Sequence, residues 1–376
     1  MTPPIEGSCD PAFAPVRDAF AENFAQRGER GAAVAVSRGG RLVVDLWGGW
    51  RDCARTEPWK ADSMVCMMSV VKAISALLVH VLADRGRIDL DAPVAAYWPE
   101  FAQNEKQDVL VRHVLDHRAG VPALSRALPA NAVFDWTAMT DAIAAEHVRW
   151  RPGTVPAYHP VTMGFIAGEL IRRTAGVMPG AFLREIAAEL GGLDYFIGVP
   201  SDALARCAEL SGDYAGTIFG ASDPATLAYT SIAQVRPEMF NTAAFRRAQI
   251  PSINGHGTPR AVAMLFGSLA QCRAGRRGTP ISTSALERAT TQQWHEIEQT
   301  SNQERRMALG FLLGGVKEVP INDNPRSFGH GGAGGALAFA DPDLDLGFAY
   351  GPSHLYGGQA PSPRTKALVD AVIACA

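Results

Sequence analysis

The apolar positions of this chain change period along its length. Phe13, Val16, Phe20 and Phe24 recur at helical spacing, so residues 11–28 are expected to form an amphipathic helix. Ala32 to Ser37 and Leu42 to Trp47 are β-like. Gly39-Gly40 between them is a tight-turn signal, so the pair is expected to be a hairpin. From about residue 69 to 250 the pattern is mostly helical, broken by Pro/Gly loops. The clearest stretches are Arg112 to Leu115 and Thr162 to Thr174. Residues 195–250 have weak periodicity and predict no element. Asn254-Gly255-His256-Gly257 reads as a turn, and Pro259 to Gln271 as a helix. Strand-like runs then return at Met307 to Leu313, Ala336 to Ala340 and Leu346 to Tyr350, the last two joined by Asp341-Pro342-Asp343. Pro363 to Cys375 closes the chain as a helix with Leu368, Val369, Val372 and Ile373 on one face.

Strands at both ends with helices between them imply an α+β fold. The expected assembly is an antiparallel five-stranded sheet flanked by terminal helices, plus an inserted, mostly helical lobe. The expected division is 1–68 with 251–376 as one discontinuous domain and 69–250 as the other, with the active site between them.

The longest apolar run, Ala73 to Ala83, is preceded by Met67-Met68-Ser69-Val70-Val71-Lys72. Three-residue spacing puts Ser69 and Lys72 on one helical face. A serine hydroxyl becomes a nucleophile when a neighbouring base takes its proton. A lysine serves as that base only if burial or a nearby cation lowers its pKa, and the surrounding Met, Val, Ile and Leu side chains offer such a setting. A Ser69 that opens the helix would also sit at the positive end of the macrodipole. With 18 serines and five lysines, about 0.2 chance Ser-x-x-Lys matches are expected, so the pair alone decides little.

Composition narrows the alternatives. The chain has 376 residues, 47% hydrophobic and 19% charged, and its net charge of -3 comes without a basic block. Nucleic acid and anionic membranes therefore have no electrostatic footprint here. The apolar runs are too short to span a bilayer, no signal peptide is visible, and the six scattered cysteines form no Cys-x-x-Cys; a cytoplasmic setting is expected. Gly329-x-Gly331-x-x-Gly334 formally matches a dinucleotide fingerprint, but a strand and a turn follow it, not a helix. His113 and His117 lack a third metal ligand, so no metal is expected. No Gly-x-Ser-x-Gly elbow occurs.

Further stretches accompany the serine. They are Asp84 to Val94, Leu115-Asp116-His117-Arg118-Ala119-Gly120-Val121-Pro122, Trp150-x-Pro152-Gly153-Thr154 followed by Tyr158-His159, and Gly329-His330-Gly331-Gly332-Ala333-Gly334-Gly335. In this order, and across nearly the whole chain, they resemble the serine β-lactamase-like superfamily. That group comprises class C β-lactamases, D-Ala-D-Ala carboxypeptidases and the related family VIII esterases. The resemblance implies Ser69 as nucleophile, with Lys72 and Tyr158 as acid/base partners; which of the two is the base stays open. A phenol whose pKa is lowered by the Lys72 ammonium would accept the serine proton. The implied oxyanion hole is the backbone N–H of Ser69 and of Ala333. His330, Gly331, Gly332 and His159 are the implied substrate-binding positions, and no cofactor is implied. His117, at a loop turn, reads as a structural hydrogen-bonding residue.

Two departures matter. Pro160 stands where penicillin-acting members carry asparagine, and His330 where they carry lysine. Both point away from β-lactams and towards short, neutral carboxylic esters as small-molecule substrates. An amide or peptide hydrolase or an acyltransferase on the same scaffold is the alternative. A non-catalytic binding protein is the reading from another class, and the three intact polar residues argue against it.

Overall fold

The computed structural model describes residues 4–129, 131–212, 237–273, 278–317, 319, 321–358 and 361–376. The first part of the chain forms β1 (Ile5–Cys9), α1 (Ala14–Gln26), β2 (Gly31–Arg38), β3 (Arg41–Gly49) and β4 (Val65–Cys66). The middle follows with α2 (Val70–Asp84), α3 (Val111–Leu115), α4 (Trp136–Ala144), α5 (Thr162–Ala175), α6 (Pro179–Glu189), β5 (Tyr195–Ile197), β6 (Ser211–Gly212) and α7 (Ala243–Arg247). The last part contains β7 (Gly255–Gly257), α8 (Pro259–Arg273), α9 (Thr283–Thr290), β8 (Trp294–Ile297), β9 (Glu304–Met307) and β10 (Leu312–Leu313). It ends with β11 (Phe328–Gly332), β12 (Ala336–Asp341), β13 (Leu346–Pro352), β14 (His354–Leu355) and α10 (Pro363–Cys375). Part of the weakly patterned stretch 195–250, residues 213–236, lies outside the described residues.

The main sheet is antiparallel and has nine strands in the order β1-β3-β2-β13-β12-β11-β10-β9-β8, rather than the expected five. The hairpin β2–β3 joins the late strands through β2 and β13, as expected. Besides the glycine-rich β11, three causes account for the extra strands. β1 is an edge strand whose middle residues are exposed, so it carries no apolar alternation. The apolar run 307–313 is two strands, because the chain turns at Gly310 (φ 90°) under α2; a Cβ there would lie 2.1 Å from that of Ala76. β8 and β9 are polar, Trp-His-Glu-Ile paired with Glu-Arg-Arg-Met. The expected turn at 254–257 is also corrected. Gly255–Gly257 is the central strand of a small sheet between β4 and β5. Its glycines are there because the Tyr195 ring lies where a Cβ would be, 2.0 Å from its Oη at Gly255.

Side-chain size divides the two faces of the main sheet. Val34, Val36, Leu337, Phe339, Phe348 and Tyr350 pack on one face against Phe13, against Val16, Phe20 and Phe24 of α1 and against Leu368, Val369 and Val372 of α10. The other face presents Ala33, Ala35, Ala338, Ala340 and Ala349 to α8 and α2. Small residues allow a close approach: a Cβ on Gly347 would lie 2.2 Å from the Gly267 backbone nitrogen of α8. α2 is buried from Val70 to Leu82, apolar on nearly every side, between this face and α5. Each large side chain fully buried there is worth roughly 1.5–3 kcal/mol, which makes α2 a rigid support for whatever its first turn carries. Among the described residues, no helix is long and apolar enough to cross a membrane.

Candidate active site

Ser69 is the N-cap residue of α2, yet its side chain makes no capping hydrogen bond. The hydroxyl is therefore not spent on the helix backbone. Met68, just before it, has φ of +49°, an uncommon conformation for a bulky residue, which costs on the order of 1–3 kcal/mol. Buried packing holds Met68 there, and the sharp turn sets Ser69 at the helix start.

Lys72 is fully buried. Its Nζ lies 3.0 Å from Ser69 Oγ and donates to the Ser252 carbonyl at 2.8 Å. Burial pulls its ammonium well below the ordinary lysine value. A neutral amine with one hydrogen on Ser252 O has its lone pair available for the serine proton. Ser252 itself is fixed from three directions. Its hydroxyl donates to Val161 O at 3.0 Å, the Ser75 hydroxyl donates to Pro251 O at 2.7 Å, and Gly164 admits the loop where a Cβ would lie 2.4 Å from Ser252 N.

Tyr158 is partly buried, with Lys72 Nζ 4.9 Å from its ring centroid. Burial pushes its phenol up to about 12, against the opposing pull of a hydrogen bond with Ser69 and the charge of Arg305. The expected lowering by a Lys72 ammonium is therefore corrected. Burial moves the two groups in opposite directions, the amine towards losing its proton and the phenol towards keeping it.

The loop carrying Tyr158 is held from both sides. Tyr158 N–H donates to Glu298 Oε2 at 2.7 Å, and Thr300 Oγ1 donates to the Tyr158 carbonyl at 2.8 Å. Buried Glu298 also accepts from the backbone N–H of Thr300 and Ser301, at 2.8 Å each. On the other side, His117 has φ of +63° and takes the His159 N–H on Nδ1 at 3.2 Å, while its carbonyl accepts from Ala157 N. His117 thus holds the two motif loops together, as its loop position suggests.

The third motif lies on β11 and the turn after it. Gly332 passes so close to the chain before Ser69 that a Cβ would lie 2.3 Å from the Met67 carbonyl oxygen. This brings Ala333, the first residue after β11, towards the nucleophile turn. Gly331 borders open space, since a Cβ there would meet nothing nearer than 4.0 Å. His330 is buried, with Nδ1 2.6 Å from Gly331 O and Nε2 without a partner among the described residues. Burial, then the charges of Lys72 and Arg305, pull its pKa down to about 3. The ring is uncharged at physiological pH.

His159, an expected substrate-binding position, has its ring engaged by the backbone. Its Nε2 accepts from Val121 N at 3.1 Å and its Nδ1 lies 2.6 Å from Ala157 O. Both ring nitrogens are engaged with backbone, so none is left for a substrate; the residue orders the loop. Sequence reasoning missed Ser252, Glu298 and Arg305. A buried glutamate in a polar hairpin gives no periodic signal, and a serine whose carbonyl does the work gives none at all. Among the described residues, no group of three or more His, Cys, Asp or Glu is placed to hold a metal ion.

The nine-stranded sheet, the buried α2 and the lysine beside its N-cap serine define a β-lactamase/transpeptidase-like fold. The chain belongs to the β-lactamase family, whose model matches residues 16–372. It is 34% identical over 357 residues to the esterase/beta-lactamase LipL of Mycobacterium tuberculosis, covering 92% of this chain and 82% of LipL. Among solved structures it is similar to a family VIII carboxylesterase, with a TM-score of 0.91 and 35% identity over 99% of this chain and all of the other. A penicillin-binding protein homologue from Caulobacter crescentus superposes with a TM-score of 0.90 at 36% identity, again over 99% of this chain and all of the other.

Proposed function

We propose that this chain is a serine carboxylesterase that cleaves short-chain esters through an acyl-enzyme on Ser69. The observation that carries the reading is the buried Lys72 amine 3.0 Å from Ser69 Oγ, with Tyr158 alongside. The esterase names of two similar proteins support the same reaction class. Ser69 Oγ attacks the ester carbonyl as its proton passes to Lys72 Nζ. The oxyanion is stabilised by the backbone N–H of Ser69 and of Ala333, and Gly331 and Gly332 let the substrate lie against β11. Collapse expels the alkoxide, which takes the Tyr158 proton, and the Lys72 ammonium returns a proton to the phenolate. Water then attacks the acyl-enzyme by the same relay and releases the acid. The cleft lies between the lobe of residues 69–250 and the sheet lobe of 1–68 and 251–376. The six cysteines are free thiols, which suits a reducing, cytoplasmic setting.

The test is hydrolysis of p-nitrophenyl acetate and butyrate by the wild type beside Ser69→Ala. The reading expects turnover that the substitution abolishes. No turnover by folded wild-type protein contradicts it.

A further inference from the structure

Among the described residues, the cation beside Tyr158 makes no ion pair, although the Glu298 carboxylate acts on the same phenol. The Arg305 guanidinium, on β9, lies over the Tyr158 ring with Cζ 6.0 Å from the centroid. Among the described residues, its side-chain hydrogen bond runs from Nη2 to the neutral Gln303 Oε1 at 2.6 Å. Its Nε is buried and has no partner among the described residues. The carboxylate opposite in register is Glu296. That side chain is exposed and is not among the partners of Arg305 among the described residues. A buried, unmet donor on a charged group is costly, and natural proteins rarely leave one without use. A guanidinium with free donors fits a carboxylate better than any other ligand group.

The place of Arg305 relative to the reaction follows from the proposed role of Tyr158. A phenol that protonates the departing alkoxide lies against the alcohol arm of the ester. The cation over that same ring is placed to meet a charged group on the alcohol arm.

We infer that Arg305 is a specificity-determining residue that binds a carboxylate on the alcohol arm of the substrate, so that the preferred esters are those of hydroxy acids. This rests on the esterase reading above and deepens it. The chemistry is unchanged: water is consumed, and the hydroxy acid and the acyl acid are released. The site loses the strict preference for neutral esters that His330 and Pro160 imply when Arg305 is left out of account.

The experiment compares 4-carboxyphenyl butyrate with p-tolyl butyrate, which differ by a carboxylate in place of a methyl group. The ratio of their kcat/KM values is measured for wild type and for Arg305→Gln. The ratio is expected to fall roughly tenfold to a hundredfold in the variant, the usual worth of a charge-assisted hydrogen bond. A ratio that stays within twofold overturns the inference. Equal losses on both esters also overturn it, because they mean that Arg305 acts only through Tyr158. If the variant does not fold, product inhibition of the wild type decides: 4-hydroxybenzoate should have an inhibition constant at least tenfold below that of p-cresol, and equal constants overturn the inference. Failure of the esterase reading looks different, since folded wild type would then cleave neither ester.

Discussion

Glu298 and Tyr158 are 140 residues apart in sequence, yet the carboxylate of one accepts the backbone N–H of the other at 2.7 Å. The same carboxylate ties down the turn after β8 through Thr300 and Ser301. The position of the Tyr158 phenol, the proposed acid, is therefore set by the edge of the sheet, not only by its own loop. Glu298→Gln exchanges a double acceptor for an amide that can meet only part of these donors. It is expected to lower kcat for p-nitrophenyl butyrate by about tenfold with KM nearly unchanged, the signature of a misplaced acid/base group. A rise in KM at constant kcat would assign Glu298 to substrate binding instead.

Lys72 and Tyr158 are expected to act on one proton path. Each of Lys72→Ala and Tyr158→Phe should lower the acylation rate by roughly 10²–10⁴. The double variant should fall little further, because groups that act as a unit are non-additive. Single-turnover kinetics on p-nitrophenyl butyrate reads this directly. Full additivity would mean two independent paths.

Much of the site is legible along the chain because its members sit at fixed local spacings. Ser69 and Lys72 are one helical turn apart, and the run that follows them is apolar enough to demand burial. Tyr158 follows a Pro/Gly loop, and the β11 glycines mark a close approach. What the chain hides is long-range. Glu298 and Arg305 lie in a short polar hairpin whose sequence resembles any solvated one, and only its packing against the Tyr158 loop gives them a role. β7 is hidden for the opposite reason: its Asn-Gly-His-Gly composition is that of a turn, and the glycines are required by the Tyr195 ring, a contact between residues distant in sequence. His159 reads as a site residue because it adjoins Tyr158, but its backbone partners at Val121 and Ala157 consume both nitrogens.

The pH dependence follows from two opposite shifts. Lys72 must be neutral to accept a proton, and burial holds its pKa well below 10.5. Tyr158 must keep its proton, and it does so up to about 12. The kcat/KM profile is therefore expected to rise through a single acid limb and to stay level to at least pH 10. A fall near pH 9–10 would show an unshifted phenol. Stability carries the same sign. Between its lowered folded value and 10.5, Lys72 is neutral in the folded chain and protonated in the unfolded one, so the unfolded state binds more protons there and stability rises with pH. The slope is at most about 1.4 kcal/mol per pH unit. Lys72→Met should remove that slope and raise the urea midpoint at pH 7 while abolishing activity. A lower midpoint would mean that the amine is not buried at a cost.

β-Lactams are expected to be poor substrates. Pro160 offers no amide where one would orient water, and His330 is uncharged, with a pKa of about 3. Arg305 still gives a β-lactam carboxylate something to meet, so acylation is not barred. Nitrocefin should give a burst of at most one equivalent, then turnover roughly a hundredfold or more below that of p-nitrophenyl butyrate, the scale of a lost orienting donor. Steady nitrocefin turnover matching the ester would show that Pro160 imposes no penalty on deacylation.

The account depends most on Ser69. The most direct test is to treat the protein with a fluorophosphonate, measure the intact mass and map the adduct to a peptide. A single adduct is expected on the peptide containing Ser69, absent in Ser69→Ala and slowed in Lys72→Ala. An adduct on another serine, with Ser69→Ala still hydrolysing esters, would contradict the mechanism.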